Sequence, residues 1–96
     1  MASYELSAKA DSDFSAIYLY GLENFGLQQT DKYAAGLIGC FERLVGYPRS
    51  GHSRSDLAPD LRCRFFGSHG IYYLPTAEHI LIVRILHQSM DAAEHL

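Results

Sequence analysis

The run Ile80-Leu81-Ile82-Val83-Arg84-Ile85-Leu86 constrains this chain more than any other segment. It reads as a buried β-strand, too short and too β-branched for one face of a helix. Such a strand needs neighbours for its backbone groups and cover for its apolar side chains. It also carries an arginine in its middle and leads directly into His87-Gln88-Ser89-Met90-Asp91. An Arg inside an apolar strand and a His, Met and Asp cluster at its exit are the two features to explain.

The cover comes from upstream. Tyr4 and Leu6 alternate with Ser3 and Glu5, which predicts a short first strand. Ser7 offers a helix N-cap. Ala10, Phe14, Ile17, Tyr18, Leu22 and Phe25 then recur at helical spacing, and Gly26 is a stop signal. Tyr33, Ala34, Leu37, Ile38, Phe41, Leu44 and Val45 form a second stripe, closed by Gly46-Tyr47-Pro48. Gly36 and Gly39 lie inside that run. Each costs about 1 kcal/mol of helix propensity against Ala, so close approach to the first helix is their expected role. Two helices joined by so few residues form an antiparallel hairpin.

Residues 48–60 are turn-formers and charges, the one long loop of the chain. Beyond it the period changes to two. Leu61–Phe66 is a strand, Gly67-Ser68-His69-Gly70 a hairpin connection, and Ile71–Leu74 a strand closed by Pro75. Thr76–His79 is a second turn before the final strand. The predicted class is α/β in the broad sense and α+β in detail. The order is β-α-α-β-β-β, with the helical hairpin on one face of a small, mostly antiparallel sheet. Ninety-six residues make one domain, residues 1–96.

Composition excludes several classes. No window approaches about 18 uninterrupted apolar residues, so no membrane span is expected. The basic-then-apolar pattern of a secretion signal is missing from the first residues, and a cytoplasmic protein is the expectation. Cys40 and Cys63 show no metal-type spacing and read as two reduced core thiols. The five His and two Cys give no spacing that supports a metal site, and no cofactor is expected.

The net charge of −3 is unevenly spread. Residues 1–42 hold six acids and two bases, whereas residues 43–84 hold six arginines and three acids. An acidic chain is a poor general nucleic-acid binder. A local arginine cluster can still clamp carboxylates in bidentate fashion. The balance favours an acidic protein segment as partner over nucleic acid.

Arg62, Arg64 and Arg84 are expected to line the face of the sheet that the helices leave open. That face reads either as a groove gripping carboxylates or phosphates, or as a solvated surface with local ion pairs. Tyr72 and Tyr73 point to opposite faces, so one of them joins the arginines. His69 and His87 sit at strand ends. An imidazole there can fix a turn, contact a partner or move a proton. Arg54-Ser55-Asp56-Leu57 reads as an anchor that tucks Leu57 against the core while Arg54 and Asp56 bond locally.

Together these pieces resemble the ParE toxins of bacterial toxin–antitoxin modules over nearly the full length. Tyr4-x-Leu6-Ser7-x-x-Ala10-x-x-Asp13-Phe14-x-x-Ile17 resembles the opening strand and helix, and Phe25-Gly26 the link to the second helix. Pro48-x-x-Gly51, Arg54-x-Asp56-Leu57, Leu61-Arg62 and Gly67-Ser68-His69-x-Ile71-x-Tyr73 resemble the loop and middle strands. Ile82-x-Arg84-Ile85-Leu86-His87-x-x-Met90-Asp91 is the strongest piece.

The resemblance implies a toxin of a type II module, of the kind associated with plasmid stabilisation. A ParD-like antitoxin would wrap and neutralise it as a hetero-oligomer. DNA gyrase would be the target, inhibited without chemistry by the toxin itself. Arg62, Arg64, Tyr73 and Arg84 are the expected antitoxin contacts. His87, Met90 and Asp91 are the expected target contacts, in a tail that matters for toxicity more than for folding. Arg54, Asp56, Leu57 and His69 are expected to be structural. The similar RelE messenger-RNA interferases offer the alternative, a ribonuclease using His69, His87 and the arginines. The segment Gln88–Leu96 offers no Arg, Lys or Tyr, which argues against it.

Overall fold

The computed structural model describes residues 3–96. The elements are β1 (Ser3–Leu6), α1 (Ala8–Phe25), α2 (Leu27–Gly46), β2 (His52–Ser53), β3 (Arg62–Phe66), β4 (His69–Pro75), β5 (His79–His87) and α3 (Ala92–His95). The sheet order is β1-β5-β4-β3-β2. Only β1 runs parallel to its neighbour β5; the other pairings are antiparallel. This is the predicted α+β arrangement, with two short elements added. β2 and α3 are two and four residues long, below the length at which a periodic pattern is legible.

Local chemistry sets the boundaries. Ser7 caps α1, its hydroxyl accepting from the Ala10 N–H at 3.0 Å and donating to the Val83 carbonyl at 2.7 Å. The cap therefore also ties the helix start to the sheet. Gly26 alone separates the two helices, at φ 85°, a conformation that suits glycine. The Tyr18 hydroxyl donates to Asp31 across the hairpin. Gly67 takes φ 54° in the two-residue turn between β3 and β4.

The helices cover one face of the sheet. Ala10, Leu37, Phe41 and Leu44 pack there on Ile71, Tyr73, Ile80, Ile82 and Ile85. Phe25 departs from the predicted stripe; it is exposed and lies edge-on to Tyr20. The glycines also behave differently from expectation. Gly36 faces the sheet, where a Cβ would meet the Phe66 ring at 2.2 Å, and a Cβ on Gly39 would meet nothing within 4 Å. The close approach between helices is at Gly21, where a Cβ would sit 2.7 Å from Thr30 Oγ1.

The other face of the sheet is not open. Leu61, Cys63, Tyr72, Leu86 and Ala92 form a second apolar cluster, flanked by Leu57, Ala58, Leu74 and Val83. The loop before β3 and the short α3 supply its cover. The tail is thus part of the fold, since its Ala92 belongs to this cluster. The reason is that β5 is apolar on both sides and needs cover on both.

Thr30 is 5% exposed and its Oγ1 makes no hydrogen bond among the described residues. Gly21→Ala is expected to lower stability by about 1–2 kcal/mol in urea unfolding, overpacking outweighing the helix propensity gained. Adding Thr30→Ala should recover most of that loss.

Candidate functional site

The three strand arginines do not share one face. β5 carries a bulge: Tyr72 pairs with Arg84 and Tyr73 with Ile82, leaving Val83 as the extra residue. Directly opposite residues lie on one side of a sheet. Arg62 faces Tyr73 and Arg64 faces Ile71, both on the helix side, whereas Arg84 faces Tyr72 on the other. The expectation of a single arginine face is corrected by this one inserted residue.

Arg84 is also occupied. Its Nε and Nη2 donate to the two Asp13 carboxylate oxygens at 2.8 and 2.9 Å, and its Nη1 donates to the His95 carbonyl. Both side chains of the ion pair are mostly covered, 14% and 16% exposed. Asp13 raises the Arg84 pKa further, by hydrogen bonding more than by charge alone. Arg84 thus joins β5 to α1 and α3.

Tyr73 is fully buried. Its hydroxyl donates to the Pro48 carbonyl at 2.8 Å and accepts from the Gly51 N–H at 3.0 Å. Arg62 holds the same loop, donating to the Gly51 carbonyl at 2.8 and 3.1 Å and to the Arg49 carbonyl at 3.0 Å. Arg64 donates to Ser50 Oγ at 3.1 Å. A strand tyrosine and two strand arginines therefore fix residues 48–51 against the sheet. Arg54 grips Asp56 in a bidentate pair, both bonds 3.1 Å, and Leu57 packs on the second apolar cluster.

A second grouping lies at the far end of β5. His69 and His87 are directly opposed across β4 and β5, ring centroids 5.4 Å apart and nearly perpendicular. Tyr33 of α2 reaches this pair, its hydroxyl 2.7 Å from His69 Nδ1. That hydroxyl accepts from the Ser68 N–H and lies 3.1 Å from the Phe66 carbonyl. A phenol has one proton. Both contacts are satisfied together when Tyr33 donates to Phe66 and His69 donates from Nδ1. His87 Nδ1 instead accepts from the Ser89 N–H at 3.1 Å.

Burial lowers the His69 pKa, helped by the like charge of His87, and burial raises that of Tyr33. His87 and Met90 are exposed beside this pair. Asp91 is exposed but engaged, its carboxylate capping α3 at the Ala93 N–H. Among the described residues no group of three or more His, Cys, Asp or Glu could hold a metal ion. No helix there is long and apolar enough to cross a membrane.

Sequence reasoning missed Asp13, Tyr33, Arg43, Tyr47 and Arg49 as structural or surface participants. The arginine count between residues 43 and 84 was the available signal for Arg43 and Arg49. Nothing local marks Asp13, whose partner is 71 positions away.

Residues 4–92 match the family described as the ParE toxin of the type II toxin–antitoxin system parDE. The chain belongs to the ParE toxin family. It is 33% identical to Toxin ParE1 of Caulobacter vibrioides over 100% of this chain and 99% of that one. It is 31% identical to Toxin ParE1 of Mycobacterium tuberculosis (strain H37Rv), over 97% of this chain and 96% of the relative. A solved structure described as the chromosomal ParDE system from P. aeruginosa has the same fold, with a TM-score of 0.77 and 21% identity. That match covers 91% of this chain and 96% of the other. As a ParE toxin, the protein is the toxin component of a type II toxin–antitoxin module, with an antitoxin as its partner.

A histidine whose folded pKa lies below the ordinary 6.5 resists protonation in the native state. Below that value the unfolded chain binds more protons, so stability falls as pH drops through 6.5 toward the folded pKa. The urea midpoint should decline from pH 7 to lower pH, and His69→Gln should flatten the part of the decline in that window. Tyr73→Phe should cost about 1–2 kcal/mol, because the Gly51 N–H loses its partner. Faster amide exchange at Gly51 would report the loosened loop.

Proposed function

We propose that this toxin acts in the cytoplasm by docking onto DNA gyrase and blocking replication, and that a ParD-like antitoxin restrains it in a hetero-oligomer. The observation that carries the reading is similarity to ParE1 toxins along the whole chain. Binding, with no bond made or broken by the toxin, is the mode this reading assigns. The end of β5 is the proposed target surface. There His87 and Met90 are exposed, next to a Tyr33 and His69 pair held in place by four hydrogen-bonding groups. Asp91 serves that surface by capping α3, which fixes the segment carrying Met90.

One observation favours a second reading, RNA cleavage. Two imidazoles stand 5.4 Å apart there, and an imidazole can act as acid or base. The arginines that would hold a phosphate there are elsewhere: Arg84 is bound to Asp13, and Arg62 and Arg64 are bound at the loop 48–51.

Two assays on the purified toxin separate the readings. Gyrase supercoiling should fall with added toxin and recover with antitoxin, while a messenger RNA stays intact. His87→Ala combined with Met90→Ala should lose at least about tenfold in inhibitory potency. Degraded RNA with normal supercoiling would favour the ribonuclease instead.

A further inference from the structure

Two of the six arginines are neutralised inside the fold, Arg54 by Asp56 and Arg84 by Asp13. Arg43, Arg49, Arg62 and Arg64 make no ion pair among the described residues. Arg49, Arg62 and Arg64 gather around one loop, whereas the Arg43 guanidinium turns back along α2 to Cys40 Sγ at 3.7 Å. Arg43 lies in the last turn of α2, and its carbonyl accepts from the Tyr47 N–H. Arg62 donates to the Arg49 and Gly51 carbonyls, and Arg64 to Ser50. Glu42 precedes Arg43 on the helix without pairing to it.

Hydrogen bonds to carbonyls and a hydroxyl aim the Arg62 and Arg64 guanidinium groups but leave their charge in place. Each keeps N–H donors free, since Arg62 uses only Nε and Nη2 and Arg64 only Nη1. The neighbouring positive charges of Arg49, Arg62 and Arg64 repel one another, and the repulsion is greatest where water is displaced. In a chain of net charge −3 this is a concentrated exception.

On the same loop lies a shallow groove of about 450 Å³, lined by Gly46, Tyr47, Pro48, Arg49 and Ser50. Tyr47 is 72% exposed on it. The loop that forms the groove is fixed from below by Tyr73, so little ordering entropy remains to be lost on binding. An apolar, rigid floor with Arg49 on it, on a loop gripped by Arg62 and Arg64, matches a peptide with carboxylates and apolar side chains. A sugar–phosphate strand would gain little from the apolar floor.

We infer that residues 46–51 with Arg62 and Arg64 form the docking site for an acidic, partly apolar extended segment of the antitoxin. The inference rests on the toxin–antitoxin reading above and locates the partner on the molecule. Tyr33 and Tyr47 are 14 residues apart along α2, or roughly 20 Å at the helical rise. The carboxylate-binding end is therefore separate from the His87 end.

The test uses the full-length antitoxin encoded beside the toxin gene, titrated into the toxin by calorimetry. Arg49→Glu combined with Arg64→Glu should weaken binding about 100-fold and remove most of its salt dependence. Tyr47→Ser should weaken it about tenfold while keeping the salt dependence. Thermal melts confirm that the variants fold. Antitoxin affinity within about twofold of wild type for the double charge reversal would overturn the inference. So would loss of binding to a DNA duplex with antitoxin affinity intact. Growth arrest by the wild-type chain checks the underlying reading separately: arrest without an effect of the charge reversal overturns only the docking site. A wild-type chain that neither arrests growth nor binds the antitoxin overturns both.

Discussion

Asp13 closes the sheet where β1 stops. β1 pairs with β5 only as far as Leu6 and Ile82, and the edge of β5 beyond that point needs another acceptor. One Asp13 carboxylate oxygen accepts from the Ile85 N–H at 3.0 Å, and both oxygens take the Arg84 guanidinium. A single side chain thus satisfies the strand edge and neutralises the arginine inside the apolar run. The bulge at Val83 turns Arg84 toward that edge. Without the extra residue, Arg84 would keep strict alternation with Ile82 and fall on the helix-covered face. The third arm of Arg84, to the His95 carbonyl, holds α3 over the second apolar cluster.

From this constraint the division of labour among the arginines follows. Arg84 is committed to the fold, and Arg54 is committed to its own loop through Asp56. The remaining cations are grouped at the C-terminal end of α2, where they also complement the helix dipole. The imidazole pair and Met90 are grouped at the opposite end of the sheet. A chain of this size has one core and little spare surface. On the proposed reading, one recognition surface at each end presents different chemistry to a target and to an antitoxin. The ParE family supplies the antitoxin; the distribution of charge and exposed apolar groups distinguishes the two ends.

Much of the scaffold was legible in the sequence because its signals are local and periodic. Ser7, Gly26 and Pro48 punctuate the helices, and the change from helical period to period two after residue 60 marks the sheet. What was not legible depends on single residues or distant pairs. A one-residue bulge leaves no mark in an apolar run, so Arg84 was assigned to the wrong neighbours. Gly36 looks like a helix-contact glycine, but it admits the Phe66 ring from the sheet instead. Tyr73 looked like a groove residue until its hydroxyl was seen to be buried under Pro48 and Gly51. Of the candidate sites, the arginine surplus was visible in composition. Which arginines are free of carboxylates is a property of the folded chain alone.

The central claim is that Asp13 and Arg84 act as one structural unit, leaving partner recognition to the other cations. A double-mutant cycle in urea unfolding tests it most directly, using Asp13→Ala, Arg84→Ala and both together. The account predicts that the single changes each destabilise strongly and that the pair is coupled by about 2 kcal/mol. Additive effects within about 0.5 kcal/mol would contradict it and return Arg84 to the surface.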